Sequence, residues 1–266
     1  MTKSTLLFVI FSLALLPLFT YADGLSDLKN ALKSLQKTST LSAKLLTTSY
    51  FQQGEGKDKI IRDGSAEISL IDDEKGLQVT YSNDILTKLE IEASERIKDE
   101  NAKTPTLNAI GKNNATEIKS IVSAGSEVLR TITQASFVNE ETVNLDGKVL
   151  RQLNFKLPVS AIINDKRTRK YVKKFTSQYS VVIDGQGIPI KTTLNFSGKG
   201  RAYWVLSVKA EGFEHSTYQL INQRLVRVTN ESGAIFDSTF GYSERKHHEL
   251  LTITEAQEPD LFANTQ

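Results

Sequence analysis

Two adjacent histidines, His247 and His248, flanked by Glu244 and Glu249, are the residues whose types come nearest to a metal site. On a strand, neighbouring side chains point to opposite faces, so only one of the two could join a given site, and His215 lies far upstream. Ligand spacing is missing, and the cluster reads as a solvated turn. Asp72-Asp73-Glu74 could form a carboxylate site, but between two strands it reads as a wet turn. Hydrolysis needs a nucleophile beside a base, and neither G-x-S-x-G nor H-E-x-x-H occurs. With no cysteine in the chain, thiol nucleophiles, redox pairs and thiolate metal sites are excluded. The expectation is a protein without catalytic residues, metal or cofactor.

Charge offers a second kind of chemistry. Lys166, Arg167, Arg169, Lys170, Lys173 and Lys174 form a basic run. Read as the start of a strand, it is basic on both faces, as an edge in water would be, and lysines there discourage edge-to-edge pairing. Its functional reading is contact with anionic head groups or an acidic partner. Net charge is only +2, with both signs interspersed, so no strong field directs the chain to nucleic acid.

The elements that must position these residues follow from periodicity. Phe175, Tyr179, Val181 and Ile183 alternate with polar residues, and after Asp184-Gly185-Gln186-Gly187 the alternation resumes in Ile188, Ile190, Leu194 and Phe196. A period of two buries one face of a sheet, and the glycines supply the positive φ of a hairpin. Tyr203–Ala210, where Trp204 and Leu206 share the apolar side, and Tyr218–Val228 extend this meander. Val143–Leu145, Asp146-Gly147 and Val149–Leu157, with Phe155 facing inward, make another hairpin, and 235–253 a last one. Near the start, Leu25, Leu28, Leu32 and Leu35 mark an amphipathic helix. Leu41–Gln52, Lys59–Ile71 and Leu77–Tyr81 read as strands.

Between the strands the period lengthens. Ser82, Asn83 and Asp84 cap a helix carrying Ile85, Leu86 and Leu89, and 99–112 reads as a mobile loop. Asn114 with Glu117 then resembles a capping box opening one helix, whose stripe holds Ile118, Ile121, Val122, Val128, Leu129 and Ile132. The segment 82–135 reads as a helical insertion into a single domain spanning 23–255, with a flexible tail at 256–266. The predicted fold class is α+β: a curled antiparallel meander with an N-terminal helix and an inserted helical segment on its concave face.

Met1–Lys3 is basic, Leu6–Phe19 is apolar, and Thr20-Tyr21-Ala22 places small residues at a signal-peptidase site. Residues 1–22 therefore read as a signal peptide cleaved after Ala22. The expected product is periplasmic, and its apolar run falls short of the roughly 20 residues that span a bilayer.

Asp27-Leu28-Lys29-x-x-Leu32, Leu41-Ser42-Ala43, Gly64–Ile68 and Leu77–Tyr81, then Tyr179–Gly185, Ile188–Phe196 and Ser216–Leu220, follow one another in an order that resembles the periplasmic lipoprotein carriers, the LolA-like superfamily. The resemblance implies a half-barrel with a hollow for acyl chains, lined by one strand face and closed by Ile118–Ile132. Such carriers commonly place a basic residue and Pro after the second strand to tether the lid, where this chain has Asp72-Asp73-Glu74-Lys75. Two functions are expected from these features. The first is a periplasmic, non-enzymatic binding protein sheltering a lipid or acyl chain against Phe155, Tyr179, Val181, Leu194, Phe196, Trp204 and Leu206 under the helical stripe. The alternative is an envelope interaction or regulatory module that meets a protein partner through Lys166–Lys174.

Overall fold

The computed structural model describes residues 23–35, 39–111, 113–163, 166–202, 206–239 and 241–254. Ten strands form one antiparallel sheet: β1 (Leu41–Gln53), β2 (Ile60–Asp73), β3 (Gly76–Thr80), β4 (Ser136–Leu145), β5 (Lys148–Lys156), β6 (Lys174–Ile183), β7 (Pro189–Ala202), β8 (Leu206–Ile221), β9 (Arg224–Ser238) and β10 (Gly241–Thr254). Their spatial order is β3-β2-β1-β10-β9-β8-β7-β6-β5-β4, so consecutive strands pair throughout except β3 and β4, and β10 returns to pair with β1. The sheet does not close: β3 and β4 are its free edges. This is the α+β curled meander that the alternation predicts.

Helices cover the concave side. The first, α1 (Gly24–Ser34), is capped by the Asp23 carboxylate and buries Leu28 and Leu32 completely. Between β3 and β4 lie α2 (Asn83–Lys98), α3 (Pro105–Ile110), α4 (Ala115–Val122) and α5 (Gly125–Gln134). Two short turns, α6 (Val159–Ile162) and α7 (Lys166–Tyr171), join β5 to β6. Residues 1–22, to which the signal-peptide reading belongs, and the tail 256–266 lie outside the described residues.

Two large apolar clusters, beside a small third of Ala66, Ile85 and Ala109, pack between helices and sheet. One joins α1 and α5 to Leu153, Phe155, Tyr179, Val181, Ile183 and Leu225. The other packs Ile118, Ile121 and Val122 of α4 onto Leu41, Leu45, Ile68, Leu70 and Leu251. Fully burying such a side chain contributes roughly 1.5–3 kcal/mol, so both clusters are stabilising.

Three helical segments differ from the sequence reading. The stripe from Ile118 to Ile132 is two helices, not one. Ala124 N donates to the Leu225 carbonyl at 2.8 Å, and a Cβ on Gly125 would stand 3.6 Å from the Leu32 carbonyl oxygen, so sheet and α1 both hold the break. Within 99–112, α3 forms and packs on β2. Its first turn donates from Thr106 N and Leu107 N to the Glu92 carboxylate, and Gly64 lets the backbone of Pro105 lie on the strand. The basic run is helical over Lys166–Tyr171, with the Arg169 guanidinium donating to the Ile163 carbonyl at 2.8 Å, and it joins an interior strand, not an edge.

Candidate functional site

Strand register builds the site. Residues directly opposite one another in an antiparallel sheet share a face. One lateral row on the concave side runs Arg62, Phe51, Arg245, Ala234, Gly212 and Phe196 from β2 to β7. The adjacent row runs Ser49, His247, Ser232, Glu214, Leu194 and Tyr179. Period two along each strand brings both rows to the same face. With Glu127, Val128 and Thr131 of α5 above them, they enclose a cavity of about 830 Å³. Sites for small molecules commonly measure about 300–1,000 Å³.

The cavity changes character across the sheet. Toward β7 and β6 its wall is Leu194, Phe196 and Tyr179, with Leu157, Ala161 and Ile162 from the β5–β6 connection. Toward β2, β1 and β10 it is Arg62, Arg245 and His247, with Arg96 and Arg130 from α2 and α5. Where Arg130, Gln134 and Arg245 are exposed, the cavity opens to solvent.

Deep in the cavity a β-bulge decides which side chain faces in. Thr217 pairs with Thr229 but Tyr218 pairs with Arg227, so Val228 is skipped. Alternation carried back from Asn230 would have pointed Val228 inward. The extra residue turns Arg227 to the concave side instead, which is what bulges do beside functional sites. Arg227 meets Glu249 at 2.9 Å and Glu127 at 3.6 Å, and His247 Nε2 lies 3.0 Å from the other Glu249 oxygen.

Burial and pairing set the protonation of this group. Burial alone would raise the Glu249 carboxyl, but the His247 hydrogen bond and the Arg227 charge outweigh it and hold it below the usual carboxylate range. Burial would likewise lower Arg227, yet Glu249 and Glu127 push it above its ordinary value. Glu214 goes the other way. It has no ion pair within 4 Å among the described residues, accepts from Asn230 Nδ2 at 3.0 Å, and burial raises its carboxyl. Burial also pushes Tyr218, which shares a hydrogen bond with Thr192, up to about 12. Ser49 Oγ, Arg96 Nε, Arg227 Nε and His247 Nδ1, all from residues lining this cavity, are buried without a partner. Buried polar atoms are rarely left so, and their clustering marks a place for a polar ligand group or water.

The residues picked from sequence divide in four. Val128, Tyr179, Leu194 and Phe196 line the cavity. Ile118, Ile121, Val122, Ile132, Phe155 and Val181 are buried in the two clusters, and Leu129 packs partly buried against one of them. Trp204 lies outside the described residues, as do the side chains of Arg167 and Leu206. Lys166, Arg169, Lys170, Lys173 and Lys174 sit on or just after α7 and are not among the cavity's lining residues. His247 and His248 lie within β10, not in a turn, and face opposite sides of it. Among the described residues no group of three or more His, Asp or Glu is placed to hold a metal ion.

Asp72 is not a wet-turn residue. It is 1% exposed and bound by Arg224 at 2.6 Å and by Lys119 of α4 at 2.9 Å, while Arg224 also donates to the Ser39 carbonyl. An acid on the sheet thus holds the helical cover through a base on the helix. Sequence reading missed Arg62, Arg96, Arg227, Arg245 and Glu214, because isolated charges inside alternating strands look like ordinary solvated positions.

No known family's sequence model matches the chain, and no curated protein matches it either. Among solved structures, MucB, crystallised in complex with MucA(peri), is similar over 85% of this chain and 93% of its own, at 8% identity and a TM-score of 0.26. At that TM-score the likeness carries no weight as to what the chain binds. Among the described residues no helix is long and apolar enough to cross a membrane.

Proposed function

We propose that the protein is a periplasmic, non-enzymatic binding protein that shelters the chain of a lipid or other acyl compound under the concave face of its half-barrel. The observation that carries this is the cavity of about 830 Å³ with Leu194, Phe196, Leu157, Ala161 and Ile162 at one end of its wall. A solid core would leave no such space, because protein interiors pack as densely as organic crystals. The leader-like residues 1–22 support the periplasmic part of the proposal.

Native mass spectrometry of protein purified from its own envelope, with titration of a fluorescent fatty acid, tests it. A co-purifying mass and saturable binding are expected; protein that is always empty and never binds the probe overturns the proposal. Charge reversal at Lys170 and Lys173 separates it from docking through the basic segment. Unchanged lipid binding is expected, and loss of a captured envelope protein without loss of lipid would favour the interaction module instead.

A further inference from the structure

The distribution of paired and unpaired cations narrows the ligand. Arg224, Arg227 and Lys119, the bases bound into the sheet–helix contact, each have a carboxylate within 4 Å. At the mouth Lys246 pairs with Glu244 at 2.9 Å, but the arginines there do not pair. Among the described residues Arg62 and Arg130 have no acidic partner, Arg245 has only the Phe51 ring at 5.3 Å, and Arg96 has only Asn108, with its Nε buried and unpartnered. A guanidinium presents a planar fork of donors that fits a carboxylate or phosphate bidentately. Several of them, without ion pairs and gathered at one end of a slot whose other end is walled by Leu194, Phe196 and Ile162, form a site for an anion attached to a chain.

Spacing agrees. From Arg245 on β10 to Leu194 and Phe196 on β7 are three strand intervals, about 14 Å at the usual separation of neighbouring strands. One acyl chain is about 15 Å long, half the roughly 30 Å hydrocarbon core of a bilayer. A head group at Arg245 therefore places the end of one chain against Leu194, Phe196 and Ile162. Glu214 stands between these ends with its carboxyl raised by burial, so it resists the ionised form there.

Resting on the proposed lipid-binding function, we propose that the occupant is a single-chain anionic amphiphile, a carboxylate or phosphate monoester on one acyl chain, with Arg62, Arg96 and Arg245 as its head-group subsite.

The test is calorimetric titration of the full chain below micelle-forming concentrations with four probes: hexadecanoate, a one-chain lysophosphatidate, hexadecanol and inorganic phosphate. Both anionic lipids are expected to bind at least tenfold tighter than hexadecanol, a difference of about 1.4 kcal/mol. The preference should fall to under threefold in the Arg62→Gln/Arg245→Gln double variant and in high salt, and phosphate alone should not bind measurably. Equal affinity for hexadecanol and hexadecanoate overturns the head-group subsite while leaving the lipid-binding proposal standing. Binding of none of the lipids overturns both. Phosphate bound as tightly as lysophosphatidate makes the site one for a free anion and overturns the amphiphile. A double variant that melts like the parent and keeps the preference overturns the assignment to these arginines. The single variant Arg245→Gln gives a second reading should the double variant not fold.

Discussion

The two ends of the concave face are made from the same strands but handle charge in opposite ways. Where β1 begins and β2 ends, α4 lies on the sheet, Ile118, Ile121 and Val122 leave no gap, and Asp72 is shared between Arg224 and Lys119. Where β1 ends and β2 begins, α3 rests on β2 at Gly64 but the cavity opens beside it, and among the described residues Arg62 and Arg245 have no carboxylate within 4 Å. Arg227 lies between these regimes, neutralised by Glu249 and Glu127 yet lining the cavity. Charge that holds the fold is matched inside the chain, whereas charge at the open end is left for something outside it. The difference is a matter of desolvation: a cation sealed from water needs its partner in place, and one at a mouth can wait for a ligand.

The comparison breaks most visibly at Asp72. Asp72→Ala leaves Arg224 buried and unpaired and should cost about 3–5 kcal/mol, read as a drop in the urea midpoint. A loss below 1 kcal/mol would mean that the closed end is not sealed by charge. Leucines give the apolar counterpart. Leu45→Ala, at a position with no exposure, should cost about 2–5 kcal/mol. Leu194→Ala, in the cavity wall, should cost less than half as much while weakening lipid binding, since its surroundings are already open. Equal losses would show that the cavity is filled in solution.

Two of the cavity carboxylates, Glu249 and Glu214, sharpen the contrast through pH. Glu249 is held low, so its ionised form adds stability above the unfolded carboxylate value of about 4.3, and this is lost as pH falls through the lower folded value. Glu249→Gln should therefore lower stability near pH 7 by about 1.5–3 kcal/mol, with the gap to the parent closing in acid. Glu214 is raised, so its ionisation opposes folding; the penalty is complete above its folded value and relieved as pH falls toward the unfolded one. Glu214→Gln should raise the melting temperature near pH 7 and lose that advantage on acidification, by roughly 2–4 °C for each kcal/mol. Scanning fluorimetry across pH 3–8 reads both, and shifts of the same sign would contradict the protonation described here. The smallest expected effect is at the mouth, where Arg62→Gln and Arg245→Gln should each change stability by no more than about 0.5 kcal/mol in the same urea experiment.

How much of this the residues announce depends on how local each cause is. Asp146-Gly147 turns with φ of 52° and 79°, and the Asp184–Gly187 turn likewise follows from its own four residues. Asn222-Gln223 turns equally sharply at 49° and 64° without a glycine, so the end of β8 passed unseen inside an unbroken-looking run. The glycines at 212 and 233, which look like turn signals, lie inside strands: the ring of Phe196 packs where a Cβ on Gly212 would be, and that of Phe213 where one on Gly233 would be. Asp72 reads as a surface turn because the arginine that buries it is 152 residues away in the chain.

From its sequence alone the chain determines most of its alternating strands and hairpins, the capped helices between them and the face that most of the strands bury, because side-chain period and turn chemistry act over a few residues. Tertiary structure decided that the helical stripe breaks in two, that a bulge turns Arg227 inward, and that paired bases seal one end of the concave face while unpaired ones ring the other. Those outcomes depend on which distant strands become neighbours, and a charge is satisfied or left open only once its surroundings have been assembled.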